Sequence, residues 1–197
     1  MFTGIATILA ALITTLGGLA GYFIKNYLHN KQTKQANAMA DYICLVSDLY
    51  QELQKFLHAT GSHRIILFYT ENGGGVPTAG SQLHCTIDYQ VYDRPAKPIE
   101  GWIKRPIPKD LVLVLSDVLA RSNKTVYTDS YDENSIVRKL HEDSKILKSW
   151  VSHLYSVQKR VFFLAIHFVE DVDLEAPEVS VQLQACKFKA INILKKM

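Results

Sequence analysis

Cysteine is scarce in this sequence and charge of either sign is nearly balanced, and both shortages exclude functions. Three cysteines, Cys44, Cys85 and Cys186, lie far apart among 197 residues, and no CxxC pair occurs. Neither a disulfide framework nor a thiolate zinc site follows from such spacing, so three buried, reduced thiols are expected. The formal net charge is only +3. A protein that tracks nucleic-acid phosphates concentrates many more cations, so no nucleic-acid partner is expected. GxGxxG, Gly-Lys-Ser/Thr, HExxH and a serine elbow are all missing. The residues therefore give no positive case for catalysis, and neither metal nor cofactor is expected.

The longest absence is of charge. Residues 2–24 read FTGIATILAALITTLGGLAGYFI without one ionisable acid or base. As a helix this run covers about 34 Å, enough for a hydrocarbon core of about 30 Å. A cleaved signal peptide ordinarily has a basic start and a shorter apolar stretch, and an interfacial helix has a charged face. The run has none of these, which predicts one transmembrane anchor over 1–28. Lys25, Lys31 and Lys34 follow it directly. The positive-inside rule then places the rest of the chain in the cytoplasm, on a single-pass inner (cytoplasmic) membrane protein whose first partner is lipid. Ala6, Ala10, Thr14 and Gly18 recur every four residues, and Gly17 with Gly21 makes a GxxxG on the adjacent face. Small side chains let helix backbones approach closely, so a homo-oligomer is expected.

Beyond the anchor, residues 29–35 form a polar linker or a helical stalk, and 36–197 form one domain. A four-three spacing of Met39, Ile43, Val46, Tyr50, Leu53 and Leu57 predicts a helix over 36–57. The segments 63–71 and 83–93 read as an antiparallel pair of strands, joined through Asn72 and three glycines. A proline-punctuated stretch leads to a helix over 109–120, then a strand over 124–128. A helix is predicted over 132–147, because acidic residues open it. The runs 150–157 and 160–169 make a hairpin around Gln158, and the second, RVFFLAIHFV, is apolar enough to be central. A last helix begins at Pro177. The fold class is α+β: an antiparallel sheet of five or six strands covered by helices.

This order resembles the GAF fold, a sensory module related to PAS domains. The resemblance covers about residues 36–196 and implies a ligand pocket opposite the terminal helices and dimerisation through those helices. The segments HRIILFYTENGGG and RVFFLAIHFVED are also similar to membrane-anchored GAF-like proteins of phages and prophages. Cyclic-nucleotide GAF domains carry an Asn-Lys and a Phe followed after three residues by Asp-Glu. Here Asn123-Lys124, Tyr127 and Asp132-Glu133 occupy those roles with four intervening residues and a compressed span, so nucleotide binding is not expected. Nothing marks Cys85 as a bilin attachment site.

Two places are candidate ligand contacts. Glu71, Asn72, Gly73 and Gly74 begin a glycine-rich turn whose exposed N–H groups suit an anion, or simply link two strands. Tyr127 and Asp129 either border a pocket or belong to a turn. His84, His153 and His167 fall on strands, whereas His141-Glu142-Asp143 reads as the solvated face of a helix. The leading expectation is a non-enzymatic, membrane-tethered GAF-like binding or interaction domain, sensory or regulatory, with an unknown small-molecule or protein partner. The alternative is a phage structural, virion-membrane or lysis-associated protein with a filled core.

Overall fold

The computed structural model describes residues 2–72 and 82–197, with side chains from residue 21 onward. The chain divides into two compact units, 1–46 and 47–197. Helix α1 (Phe2–Ala59) runs unbroken through the polar stretch 29–35, so that stretch is helix. In the first unit α1 exposes Tyr22, Phe23, Ile24, Tyr27, Leu28, Met39 and Ile43. Among the described residues no helix is long and apolar enough to cross a membrane. Most of the uncharged run precedes residue 21, and the packing residues Ala6, Ala10, Thr14, Gly17 and Gly18 lie outside the described side chains. At Gly21 an added Cβ would meet nothing within 4 Å.

The second unit is built on one antiparallel sheet. Its strands are β1 (Arg64–Glu71), β2 (His84–Tyr92), β3 (Arg105–Pro106), β4 (Asn123–Tyr127), β5 (Lys148–Val157) and β6 (Arg160–Phe168), in spatial order β3-β2-β1-β6-β5-β4. The two inner strands, β1 and β6, are the most apolar, and β1 is buried on both faces along nearly its whole length. Period-two alternation then sorts their side chains. Ile65, Leu67, Leu164, Ile166 and Phe168 meet Leu49, Leu53 and Leu57 of α1 together with Leu183, Cys186 and Ala190 of α4 (Pro177–Leu194). Ile66, Phe68, Phe163 and Ala165 face the other way. They meet Leu111, Val114, Leu115 and Val118 of α2 (Lys109–Arg121) and Val137 of α3 (Ile136–Glu142). The terminal helices thus hold one face of the sheet, and α2 and α3 the other.

Three expectations are corrected. Cys85 and Cys186 are buried as expected, but Cys44 is exposed on α1. The helix expected over 132–147 has only seven residues. An Asx turn, with Asn134 N–H donating to Asp132 Oδ1 at 2.9 Å, precedes it, and the Ser135 hydroxyl caps it by accepting from Val137 N–H at 3.1 Å. Lys145 in the left-handed region, φ 56°, turns the chain so that β5 begins at Lys148. The helix starts late because its acidic start is spent on a turn. The proline-punctuated stretch also yields an unanticipated strand, β3, which pairs Pro106 with His84 at the sheet edge, where a missing N–H is tolerated. Ser135→Ala is expected to lower stability by about 1 kcal/mol, the usual worth of such a cap, measurable as a lower urea midpoint.

Candidate functional site

Between the sheet and the helices α2 and α3 lies a cavity of about 60 Å³. By the same measure a water needs about 10–15 Å³, so the space suits roughly four to six non-hydrogen atoms. Its walls are mostly apolar, from Ile66, Phe68, Val151 and Ala165 of the sheet to Trp102, Leu111 and Leu140 above it. One end is polar, where Ser149, His141, His167 and Tyr131 contribute to the lining.

The polar end follows from strand register. Arg64 of β1 and Ser149 of β5 both stand opposite His167 of β6, so the three side chains form a row on one face. Arg64 is completely buried. Its Nε donates to His167 Nδ1 at 2.9 Å, and its Nη1 donates to the Lys97 carbonyl at 2.7 Å and to Ser144 Oγ at 3.1 Å. These bonds pin two connecting segments onto the sheet. Its Nη2 has no partner among the described residues. No acidic side chain among them forms an ion pair with Arg64 either. Burial draws the guanidinium down to about 10, which leaves it charged at neutral pH.

Proton arithmetic fixes the neighbouring histidines. Because Arg64 donates to His167 Nδ1, a neutral His167 carries its proton on Nε2. Thr128 Oγ1 donates its one proton to the Ile146 carbonyl at 2.6 Å and lies 3.1 Å from His141 Nδ1. His141 therefore donates from Nδ1 and keeps a lone pair on Nε2. Burial first, and then the Arg64 charge, draw His141 down to about 3, and the same causes with His141 itself hold His167 well below its ordinary value. Their rings meet edge to face with centroids 4.9 Å apart, and Tyr131 stands edge-on to His141 at 5.5 Å. Burial and the Asp110 carboxylate push the Tyr131 phenol up. The Ser149 hydroxyl is buried without a hydrogen-bond partner among the described residues. Burial pushes the Cys85 thiol, another lining group, up to about 12, so it stays protonated and weakly nucleophilic.

The residues singled out from sequence lie elsewhere. Glu71 ends β1, where Arg160 Nε approaches its carboxylate at 3.4 Å, and Asn72 follows with a buried side-chain nitrogen that has no partner among the described residues. Both border an open depression beside the β5–β6 turn, while Gly73 and Gly74 lie outside the described residues. Tyr127 ends β4 with Lys148 Nζ 5.6 Å from its ring centre, and Asp129 is exposed in a short 3-10 turn (Thr128–Ser130). Since Glu71 pairs with the start of β6 and Tyr127 reaches its end through Lys148, Glu71 and Tyr127 lie at opposite ends of the sheet. Glu71, Asn72, Tyr127 and Asp129 do not line the cavity. His141, expected on a solvated face, is buried, although Glu142 and Asp143 are exposed. His167 meets His141 and Arg64, and not His84. No cluster suited to a metal ion occurs among the described residues.

No family model and no curated protein matches the chain. Solved structures do. The GAF domain of a two-component sensor histidine kinase from Bacillus halodurans matches with TM-score 0.50 and 18% identity, over 77% of this chain and 92% of that one. A far-red cyanobacteriochrome photoreceptor matches with TM-score 0.55 and 13% identity, over 86% and 98%. The GAF domain/HD domain protein from Geobacter sulfurreducens matches with TM-score 0.50 and 12% identity, over 77% and 90%. The domain has a GAF-like fold, and the likeness at these identities is to the fold alone.

Proposed function

We propose that the chain is a membrane-tethered, non-enzymatic GAF-like sensor that binds a small molecule in the cavity beneath α2 and α3 and works as a homo-oligomer. The observation that carries this reading is a cavity with an apolar body and one polar end, on the face opposite the terminal helices. Such a mix of shape-filling and orienting groups is what small-ligand sites use. The uncharged run 2–24 and the lysines after it support the anchor. Met39 and Ile43, exposed at i, i+4 spacing on α1, support pairing with the same helix of a second copy.

Native mass spectrometry of the full chain in detergent is expected to report an oligomer. Replacing Met39 and Ile43 together by Glu should shift it to monomer by placing like charges in the helix contact. Carbonate-washed membranes should retain the chain. A monomer at high concentration removes the pairing, and release into the supernatant removes the anchor.

A further inference from the structure

The polar end of the cavity has a charge directly behind it. Arg64 does not itself line the cavity but bonds to His167, which does, and it is a completely buried cation without an acidic partner among the described residues. Buried charges are normally paired, because removing an ion from water without compensation costs several kcal/mol. The two histidines beside it are neutral and leave that charge standing. Toward the cavity the same row offers two donors, the Ser149 hydroxyl and the Nε2–H that the Arg64 bond forces on His167. These residues are cross-strand neighbours, so their donors converge from adjacent strands. The remaining wall is hydrocarbon, and the space takes about four to six non-hydrogen atoms.

Taken together, positive charge, two donors, apolar walls and small volume define one chemical class. We propose that the cavity binds a short-chain aliphatic monocarboxylate, its carboxylate accepting from Ser149 and His167 beside Arg64 and its tail lying among Ile66, Val151 and Ala165. Inorganic phosphate fits the volume but would set oxygens against hydrocarbon. A dicarboxylate would bury a second charge with nothing to meet it. The lone pair on His141 Nε2 repels a carboxylate, which places the carboxylate on the Ser149–His167 side of the cavity.

This inference rests on the cavity being a ligand site, and the experiment separates the two. The full chain is titrated calorimetrically with sodium propionate, propionamide and 1-propanol at matched ionic strength. Propionate is expected to bind saturably, one per chain, with each neutral analogue at least about tenfold weaker, since a hydrogen bond to a charged group is worth more than a neutral one. Ser149→Ala removes a hydroxyl that has no partner among the described residues, so the variant should fold as the parent does while losing about tenfold in propionate affinity. Should a neutral analogue bind as tightly as propionate, the carboxylate class is overturned and the ligand site stands. Unchanged propionate affinity in Ser149→Ala overturns the placement of the carboxylate. Absence of binding by all three overturns the carboxylate and the ligand site together.

Discussion

Arg64→Met is expected to destabilise the domain by about 2–4 kcal/mol, a large share of the 5–15 kcal/mol typical of a domain. Two effects oppose each other. Burial draws the guanidinium from 12.5 to about 10, and at 1.36 kcal/mol per pKa unit the methionine variant recovers about 3 kcal/mol of desolvation. Against this, the Lys97 carbonyl, Ser144 Oγ and His167 Nδ1 all lose their donor. Each buried acceptor left alone costs about 1–3 kcal/mol, and the segments carrying Lys97 and Ser144 lose their attachment to the sheet. The acceptors win. Urea unfolding followed by the buried Trp150 should show the lowered midpoint. A variant as stable as the parent would mean that the three hydrogen bonds only offset the desolvation of the charge, and that Arg64 adds nothing net to the fold.

Much of the architecture is legible in the sequence because it depends on periodicity. Alternation in 83–93, the apolar run of β6 and the helical stripe of 36–57 each specify an element through burial of one face. The elements that were misjudged depend on single residues. Asp132 and Ser135 cut α3 short by accepting backbone N–H groups on their side chains, which outweighs the acidic start. The site was less legible for a different reason. Its residues come from β1, α3, β5 and β6, and only the register brings Arg64, His167 and Ser149 into one row. One signal was present: Arg64 and His167 interrupt the two most apolar strands, and a polar group in an inner strand requires a partner. The candidate Glu71 stands at the end of β1 opposite Arg64, because the local conspicuousness of the glycines beside it says nothing about which strands meet across the sheet.

The same strands connect the cavity to the terminal helices. On β6, His167 lines the cavity while Ile166 and Phe168 on either side of it pack in the core with Leu53, Leu57 and Leu183. Ser149 and Trp150 divide in the same way on β5. A ligand that pulls on His167 or Ser149 therefore acts on backbone whose next residue belongs to the helix-facing core. Close packing transmits so small a shift, because interiors have few voids to absorb it.

Acid should unfold this domain earlier than its carboxylates alone would. His141 is drawn down to about 3 and His167 well below its ordinary value, so neither binds a proton in the folded state near pH 5. In the unfolded chain both titrate near 6.5. Between those values the unfolded state holds more protons, so stability is full above pH 6.5 and falls as the pH drops through that window. For His141 alone the loss by pH 5 is about 2 kcal/mol, and His167 steepens it. Urea midpoints at pH 7.5, 6 and 5 should fall progressively, and His141→Asn, which keeps a donor for Thr128, should flatten the fall. Burial is the larger cause of the neutral rings and the Arg64 charge the second, so an anion beside Arg64 offsets part of the shift and saturating propionate should flatten the fall in part. A pH-independent parent would mean that the imidazoles reach water, and a cavity open to water at its polar end could not make one buried cation count for so much.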